Sequence, residues 1–145
     1  MKGDSVFIDT NVLVYAYDAK AGRKHEIARD LLTELWSREG AVLSIQVLQE
    51  FFVTVTRKIS RPIEPRLARE IVEDLLTWSV VVIDGASVLA AIDLQGLEKI
   101  SFWDALIVAA AQKAGTKVLL SEDLADGRVF ADVTVRNPFI KNGDA

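Results

Sequence analysis

The chain alternates short apolar runs with longer segments in which apolar and polar residues recur at helical spacing. Nearly continuous apolar runs of three or four residues lie at 5–8, 41–43, 80–83 and 117–120, with a weaker one at 133–135. Runs of this length predict strands that are buried on both faces of a sheet. The run at 80–83 is the strongest of these strand signals, because it is β-branched throughout.

Between these runs, apolar residues return every three or four positions, which is the period of an amphipathic helix. Helices are predicted over residues 24–38, from Ser44 through Val55, from Leu67 to Leu75, from Ser87 past Leu94, and over residues 102–114. Gly40 suits the end of the first of them, and Ser44 suits the N-cap of the second. The segment 102–114 is apolar on nearly every side, so it predicts a helix buried at the centre of the domain.

Strands that alternate with helices predict a mostly parallel sheet with helices on both faces, which is the α/β class. No internal repeat, low-complexity tract or linker divides the sequence, so residues 1–145 predict one domain. In open α/β sheets, ligands bind beyond the carboxyl ends of the strands. Asp9 directly follows the first predicted strand, and Asp123 comes soon after the strand ending at Leu120. We therefore expect both carboxylates at that edge of the sheet.

Composition narrows the classes of function that such a domain could serve. Half of the residues are hydrophobic and there is no cysteine, which excludes disulfides and thiolate zinc sites. The net charge of −4 argues against broad electrostatic binding to nucleic acid, so an RNA substrate would require a local basic patch or bound metal ions. No stretch has the length of a signal peptide's apolar core or of a membrane span. We therefore expect a soluble, cytoplasmic protein.

Two candidate carboxylates have an alternative explanation, because each lies at a predicted helix start. Asp9 or Asn11 could serve only to cap a helix that begins near Val12. Ser101 and Asp104 have the spacing of a capping box, and the helix dipole favours an acid in the first turn. The rest of that helix is apolar, however, so the helix would carry the Asp104 carboxylate into the interior or a cleft. A charged group there needs something that binds it.

Each of the remaining candidate acids, taken alone, can also be explained without a functional role. Glu50 lies on a polar helix face that can simply be solvated, together with Gln46, Thr54 and Arg57. Asp123 and Asp126 are loop acids, and Asp126 could complete a metal shell. The combination is more informative than any single residue. The acids that fall at strand ends or helix starts on one expected edge are Asp9, Glu50, Asp104 and Asp123.

The chemistry of clustered carboxylates points to a divalent metal. Carboxylates in one cleft raise one another's pKa unless a cation neutralises them. An all-oxygen set favours Mg²⁺ or Mn²⁺ over Zn²⁺. The single histidine, His25, lies in a charged stretch typical of a helix surface, so catalysis by a histidine-dependent nucleophile has little support. Asp84 also follows a predicted strand, but Gly85 and Ser87 after it favour a helix cap.

Four segments, in this order along the chain, resemble the acidic motifs of PIN-domain nucleases. They are VFIDTN at residues 6–11, QEF at 49–51, SFWDALI at 101–107 followed by AAA at 109–111, and LLSEDL at 119–124. Each segment is short, but the four together are specific and cover nearly the whole chain. Where the family usually has threonine in the fourth motif, this chain has Ser121, which keeps the hydroxyl.

The resemblance implies a three-layer α/β/α fold, single-stranded RNA as the substrate, and Mg²⁺ or Mn²⁺ as the cofactor. It assigns the metal ion or ions to Asp9, Glu50, Asp104 and Asp123, with Asn11 and Ser121 in support. Because the chain is one bare domain, it is most similar to the VapC-type toxins of toxin–antitoxin pairs. Those toxins usually form homodimers and are inhibited by a small antitoxin whose tail occupies the cleft.

The implied reaction is hydrolysis of a phosphodiester by water that a divalent ion activates for in-line attack on phosphorus. The RNA backbone would need positive charge near this site. Three basic residues at the end of the Glu50 helix are the predicted contacts, namely Arg57, Lys58 and Arg61. A solvated helix end, favoured by the helix dipole, explains these residues equally well.

Three other functions stay open at this point. A Mg²⁺-dependent phosphatase also carries an aspartate after its first strand, but usually a second one two residues later, where this chain has Asn11. A PIN nuclease that processes RNA outside any toxin–antitoxin pair fits the same motifs. A degenerate PIN domain that only binds a partner also fits them, although the retention of all four acids argues against it.

Overall fold

A computed structural model describes residues 5–140, so the ends of the predicted domain, residues 1–4 and 141–145, lie outside the described part. The strands are β1 (Val6–Ile8), β2 (Ala41–Ser44), β3 (Ser79–Val81), β4 (Val118–Leu120), β5 (Val129–Phe130) and β6 (Val133–Arg136). They form one sheet in the order β3-β2-β1-β4-β6-β5. Every neighbouring pair is parallel except β5 and β6, which are antiparallel. The predicted α/β class with a mostly parallel sheet is confirmed.

Within residues 5–140, six α-helices flank this sheet. They are α1 (Thr10–Tyr17), α2 (Arg23–Ser37), α3 (Ile45–Arg57), α4 (Pro65–Leu75), α5 (Gly85–Glu98) and α6 (Phe102–Lys113). α1 packs against α2 and α3, α3 packs against α4, and α5 packs against α6. None of these helices combines the length and the apolar character needed to cross a membrane.

The hydrophobic core lies between the sheet and the helices that cover it. Phe7, Phe51 and Phe130 are its largest completely buried side chains. Burial of such side chains at close packing supplies the main favourable free energy of folding. Strands of two to four residues are stabilised by this packing against the helices. α6 contributes seven consecutive buried residues, 105–111. The prediction of a central, buried helix at 102–114 is confirmed.

The run at 80–83, which carries the strongest strand signal, forms the outer strand β3 rather than a central one. β3 begins one residue earlier than this run and ends two residues earlier, and the Val82 side chain is 63% exposed. β-Branched residues favour extended backbone, but they do not determine a strand's place in the sheet. β5 has no recognisable signal of its own, because two residues are too few to show a period.

The chain order places a topological switch point between β1 and β4. From β1 the chain crosses to β2 and β3 on one side, and it then returns to β4 on the other side of β1. Ile8 is in register with Leu120 at the carboxyl ends of these two strands. The backbone N–H of Asp9 donates to Leu120 O at 2.9 Å. A crevice forms where loops diverge at such a point, and the segments that follow β1 and β4 border it.

Candidate active site

Asp9 follows β1 directly as the N-cap of α1, and it is only 4% exposed. Its Oδ1 accepts a hydrogen bond from Thr10 N at 2.7 Å. Its Oδ2 accepts from Ser121 Oγ at 2.8 Å and from Asn11 Nδ2 at 3.3 Å. The capping role that the sequence suggested for Asp9 is therefore real. It uses only one of the two carboxylate oxygens, while the other belongs to the site.

Burial raises the pKa of Asp9 to about 6, from an ordinary value of 3.8. Hydrogen bonds from the Ser121 hydroxyl and the Thr10 N–H lower this pKa, and the negative charges of Asp123 and Asp104 raise it. Burial is the largest of these effects, because a carboxylate removed from water is unstable in its charged form unless a cation compensates it. The surroundings of Asp9 therefore favour the binding of positive charge.

Two polar side chains connect Asp9 with the loop that carries Asp123. Ser121 is completely buried, and its Oγ accepts from Asp123 N at 3.2 Å while donating to Asp9. Asn11 donates to Asp9 through Nδ2, and its Oδ1 accepts from Glu122 N at 3.0 Å. The loop after β4 is therefore held directly beside the carboxylate after β1. This arrangement matches the supporting role predicted for Asn11 and Ser121, although their function stays a prediction.

Glu50 reaches the same region from α3 and is held by two donors. Thr10 Oγ1 donates to Glu50 Oε1 at 2.6 Å, and Gln46 Nε2 donates to Glu50 Oε2 at 3.1 Å. Gln46 itself is buried, with 5% of its surface exposed. The alternative of a simply solvated polar face is therefore wrong for this part of α3.

Asp104 lies in the first turn of α6 and is half-buried. Its backbone N–H donates to Ser101 Oγ at 3.0 Å, so the predicted N-cap is confirmed. Burial raises the pKa of the Asp104 carboxyl, the Ser101 hydroxyl lowers it, and the charges of Asp123 and Glu50 raise it. The Asp104 carboxylate therefore lies in the electric field of Asp123 and Glu50, in addition to its place in the first turn of the helix.

Four separate parts of the chain thus place the four predicted carboxylates within range of one another's charges. The charges of Asp104 and Asp123 act on Asp9, and those of Glu50 and Asp123 act on Asp104. Glu50 and Asp123 also line a cleft of about 540 Å³, together with Thr10, Asn11 and Lys58. The cleft is large enough to admit part of a polymer chain beside the carboxylates.

The donor chemistry of this pocket suits a hard divalent cation. All four side chains offer only oxygen, the ligand type that Mg²⁺ and Mn²⁺ prefer. Within residues 5–140, none of the four forms an ion pair with a basic side chain. In the same range, no three Asp, Glu or His side chains lie close enough together to hold one ion. The carboxylates fit an ion by donor type and charge, and binding would have to draw them closer.

Glu122, which precedes Asp123, makes contacts with α1 and α2 that the sequence does not predict. Tyr15 Oη donates to Glu122 Oε1 at 2.8 Å, and Lys24 Nζ forms an ion pair with Glu122 Oε2. Lys24 also lies over the Tyr15 ring, 5.2 Å from its centroid. These contacts join α1 and α2 to the loop that carries Asp123. They connect residues about a hundred positions apart, so spacing along the chain could not predict them.

The other predicted site residues, Asp126 and the three basic residues, have fewer contacts with the four carboxylates or none. Asp126 is exposed, and its Oδ1 accepts from Asn137 N at 2.8 Å, so its carboxylate serves the turn after β6. Its place in a metal shell stays a prediction without further support. Of the three basic candidates, Lys58 lines the cleft beside Glu50 and Asp123, whereas Arg57 and Arg61 are exposed and do not line it.

Two residues set aside on sequence grounds have other roles. Asp84 caps α5, since its Oδ1 accepts from Ser87 N at 2.9 Å, as predicted. Its hydrogen bonds with the Ser87 backbone and hydroxyl, and then with Lys113, lower its pKa to about 2. His25 lies on α2, partly buried, with Nδ1 2.9 Å from Tyr15 O.

The structure is thus a small α/β domain with a mostly parallel sheet and several acidic side chains near the switch point of that sheet. The family model described as the PIN domain matches residues 6–133, from the first residue of β1 to the first residue of β6. The chain belongs to the PIN-domain family, a family of nucleases. A search of curated proteins found no match.

The solved structures of similar fold include proteins of toxin–antitoxin systems. A toxin–antitoxin complex from Klebsiella pneumoniae is 22% identical, with a TM-score of 0.68 over 93% of this chain and 98% of that one. A sarcin-ricin loop cleaving VapC toxin from Mycobacterium tuberculosis is 18% identical, with a TM-score of 0.63 over 82% of this chain and 90% of that one. A DNA-bound VapBC complex from Salmonella typhimurium is 15% identical, with a TM-score of 0.65 over 92% and 98%. At these identities the likeness shows the fold.

Proposed function

We propose that the protein is a metal-dependent endoribonuclease that hydrolyses phosphodiester bonds of single-stranded RNA, and that it is the toxin of a type II toxin–antitoxin pair. The observation that carries the proposal is the group of four electrostatically coupled carboxylates at the switch point, without an ion-pair partner in residues 5–140. A phosphatase carrying a second aspartate in its first motif is disfavoured, because Asn11 occupies that position and donates to Asp9.

The residues proposed to hold Mg²⁺ or Mn²⁺ are Asp9, Glu50, Asp104 and Asp123. A bound divalent ion supplies Lewis acidity, which makes water nucleophilic near neutral pH and offsets the charge that develops on the phosphate. The chain's own residues supply the geometry. Ser121 and Asn11 keep Asp9 beside the Asp123 loop, and Thr10 keeps Glu50 turned towards α1. Lys58, at the wall of the cleft, is proposed to contact the RNA backbone.

The acidic net charge of −4 does not oppose this function once the pocket is loaded. Divalent ions are large local charges and reverse the sign of the field around the carboxylates. Affinity for RNA would then depend on the metal and on Lys58, rather than on a broad basic surface. RNA binding is accordingly expected to be weak in the metal-free protein.

An antitoxin is the proposed protein partner, in keeping with the toxin–antitoxin complexes of similar fold. Its proposed binding surface begins at an apolar groove of about 460 Å³ between α3 and α4, lined mainly by Ile45, Leu48, Phe52, Val53, Val72 and Leu76. Gln49 and Val53 also line a smaller cleft that contains Glu50. The groove therefore leads to the acidic pocket, where the tail of a bound partner would compete with RNA.

A homodimer is proposed through the exposed apolar side of α5. Leu89 and Ile92 lie one helical turn apart and are 64% and 50% exposed. Lysine at both positions should shift the protein to the monomer in sedimentation velocity, whereas Val129→Lys, an exposed apolar position on β5, should not. An unchanged sedimentation coefficient in the double variant would contradict this interface.

The test of the proposed activity is cleavage of a mixed-sequence single-stranded RNA with added Mg²⁺ or Mn²⁺. We expect EDTA to abolish cleavage and Asp9→Asn to lower its rate by about 100-fold or more. Asp93→Asn is the matched control, because Asp93 is an exposed acid on α5. Equal cleavage by wild type and Asp9→Asn would show that the activity does not come from this pocket. No cleavage with either ion would favour a domain that only binds a partner.

A further inference from the structure

Gln46 is a buried polar residue next to the acidic pocket that the proposed mechanism does not use. It is the second residue of α3, one helical turn before Glu50, and is 5% exposed. Glutamine is seldom buried to this degree unless its amide is fully hydrogen-bonded. Its position therefore calls for an explanation beyond packing.

The orientation of the Gln46 amide follows from its neighbours. Its Nε2 donates to Glu50 Oε2 at 3.1 Å and to Trp103 O at 3.2 Å. Both neighbours only accept hydrogen bonds, so a flipped amide would place its oxygen against two other oxygens. The NH₂ group therefore connects a carboxylate on α3 with the backbone of α6, at the residue before Asp104.

The other end of this amide has no partner. Gln46 Oε1 is buried and accepts no hydrogen bond within the described part of the chain. A buried acceptor without a hydrogen bond lowers the free energy of unfolding, because it has lost its hydration. An apolar side chain of similar volume would fill the same space without this loss of stability, so folding alone does not explain a glutamine here. Buried polar atoms without a hydrogen bond are expected mainly at functional sites, where the geometry of the site matters more than stability.

We propose that Gln46 is a positioning residue for the metal site, an inference that rests on the proposed function. Its NH₂ group fixes Glu50 Oε2 beside the start of α6, where Asp104 lies. By tying α3 to α6, the same group limits how far Glu50 and Asp104 must move to share a divalent ion. Gln46 acts through Glu50 and not on the substrate, because its donor hydrogens are already used by Glu50 and Trp103.

The test is the affinity of Gln46→Met for Mn²⁺, measured by isothermal titration calorimetry. Methionine keeps the volume and removes both the donor and the unpartnered acceptor. We expect Mn²⁺ affinity to fall by about 10-fold or more, as it does when outer-shell partners of metal ligands are lost. The fall should be partial, because Thr10 still donates to Glu50. The thermal midpoint of the metal-free variant should be equal to that of wild type or higher.

Gln112→Met is the matched control, since Gln112 is exposed near the end of α6. It should leave Mn²⁺ affinity unchanged. If Gln46→Met does not fold, Gln46→Asn decides the question, because its shorter amide cannot span Glu50 and Trp103 together. Unchanged Mn²⁺ affinity in a folded Gln46 variant, with wild type binding normally, overturns this inference alone. Absence of Mn²⁺ binding by wild type overturns the metal site, and the inference with it.

Discussion

Asp9 shows most clearly how a functional site conflicts with stability at the level of one residue. Its carboxyl is buried, and burial raises its pKa from 3.8 to about 6. A carboxyl whose pKa is raised in the folded state destabilises the fold wherever it is charged. The penalty is complete above the folded pKa of about 6, shrinks as the pH falls, and vanishes below the unfolded pKa of 3.8.

We therefore predict that Asp9→Asn stabilises the metal-free protein at neutral pH. The shift corresponds to at most about 3 kcal/mol in the free energy of unfolding, because asparagine also loses part of the hydrogen bonding to Ser121. Urea denaturation in EDTA checks this, and the gain should shrink as the pH falls from about 6 towards 3.8. A variant less stable than wild type at neutral pH would show that hydrogen bonding outweighs burial.

Residue by residue, the sequence predicts part of the site for a clear reason. Asp9 and Asp123 can be placed because they follow strands, and parallel strands end at one edge. Gln46 and Tyr15 could not be placed, since their contacts depend on how helices meet in three dimensions. Asp126 is the opposite case. Its nearness to Asp123 along the chain suggested a metal ligand, which stays a prediction, and in the structure its Oδ1 accepts from Asn137 N.

Individual elements show the difference between local preference and position in the fold. α6 could be predicted as buried, because a helix that is apolar all round has no face to present to water. β3 has the strongest strand composition, yet it lies at the edge of the sheet. β-Branched residues fix the backbone conformation, whereas the sequence of crossovers fixes the order of strands.

The C-terminus of α5 allows a test of local backbone strain. Lys99 caps this helix in the left-handed conformation, with φ 56°, which glycine adopts without a Cβ clash. We predict that Lys99→Gly raises the free energy of unfolding by about 0.5–1 kcal/mol. The matched control is Lys117→Gly, since Lys117 is also exposed but is not among the residues with positive φ. Stability should fall in that control, and a fall in both variants would contradict the prediction.

At the scale of the whole molecule, the fold and the family could be predicted because four weak motifs occur in one order. Each motif alone admits a capping or solvated explanation, and two of those explanations hold in part, since Asp9 and Ser101 do cap helices. Net charge is a poor guide to function at this scale. Net charge is a sum over the whole chain, whereas the proposed function depends on four acids that act on one another locally.

The most direct test of the central claim, that the four carboxylates hold a divalent ion together, is an anomalous difference map from crystals grown with Mn²⁺. The account predicts a peak that is coordinated by oxygens of Asp9 and Asp104, with Glu50 and Asp123 drawn towards it. The peak should be absent from crystals of Asp9→Asn. Mn²⁺ bound away from these four acids, or no peak beside them in protein that cleaves RNA, would contradict the account.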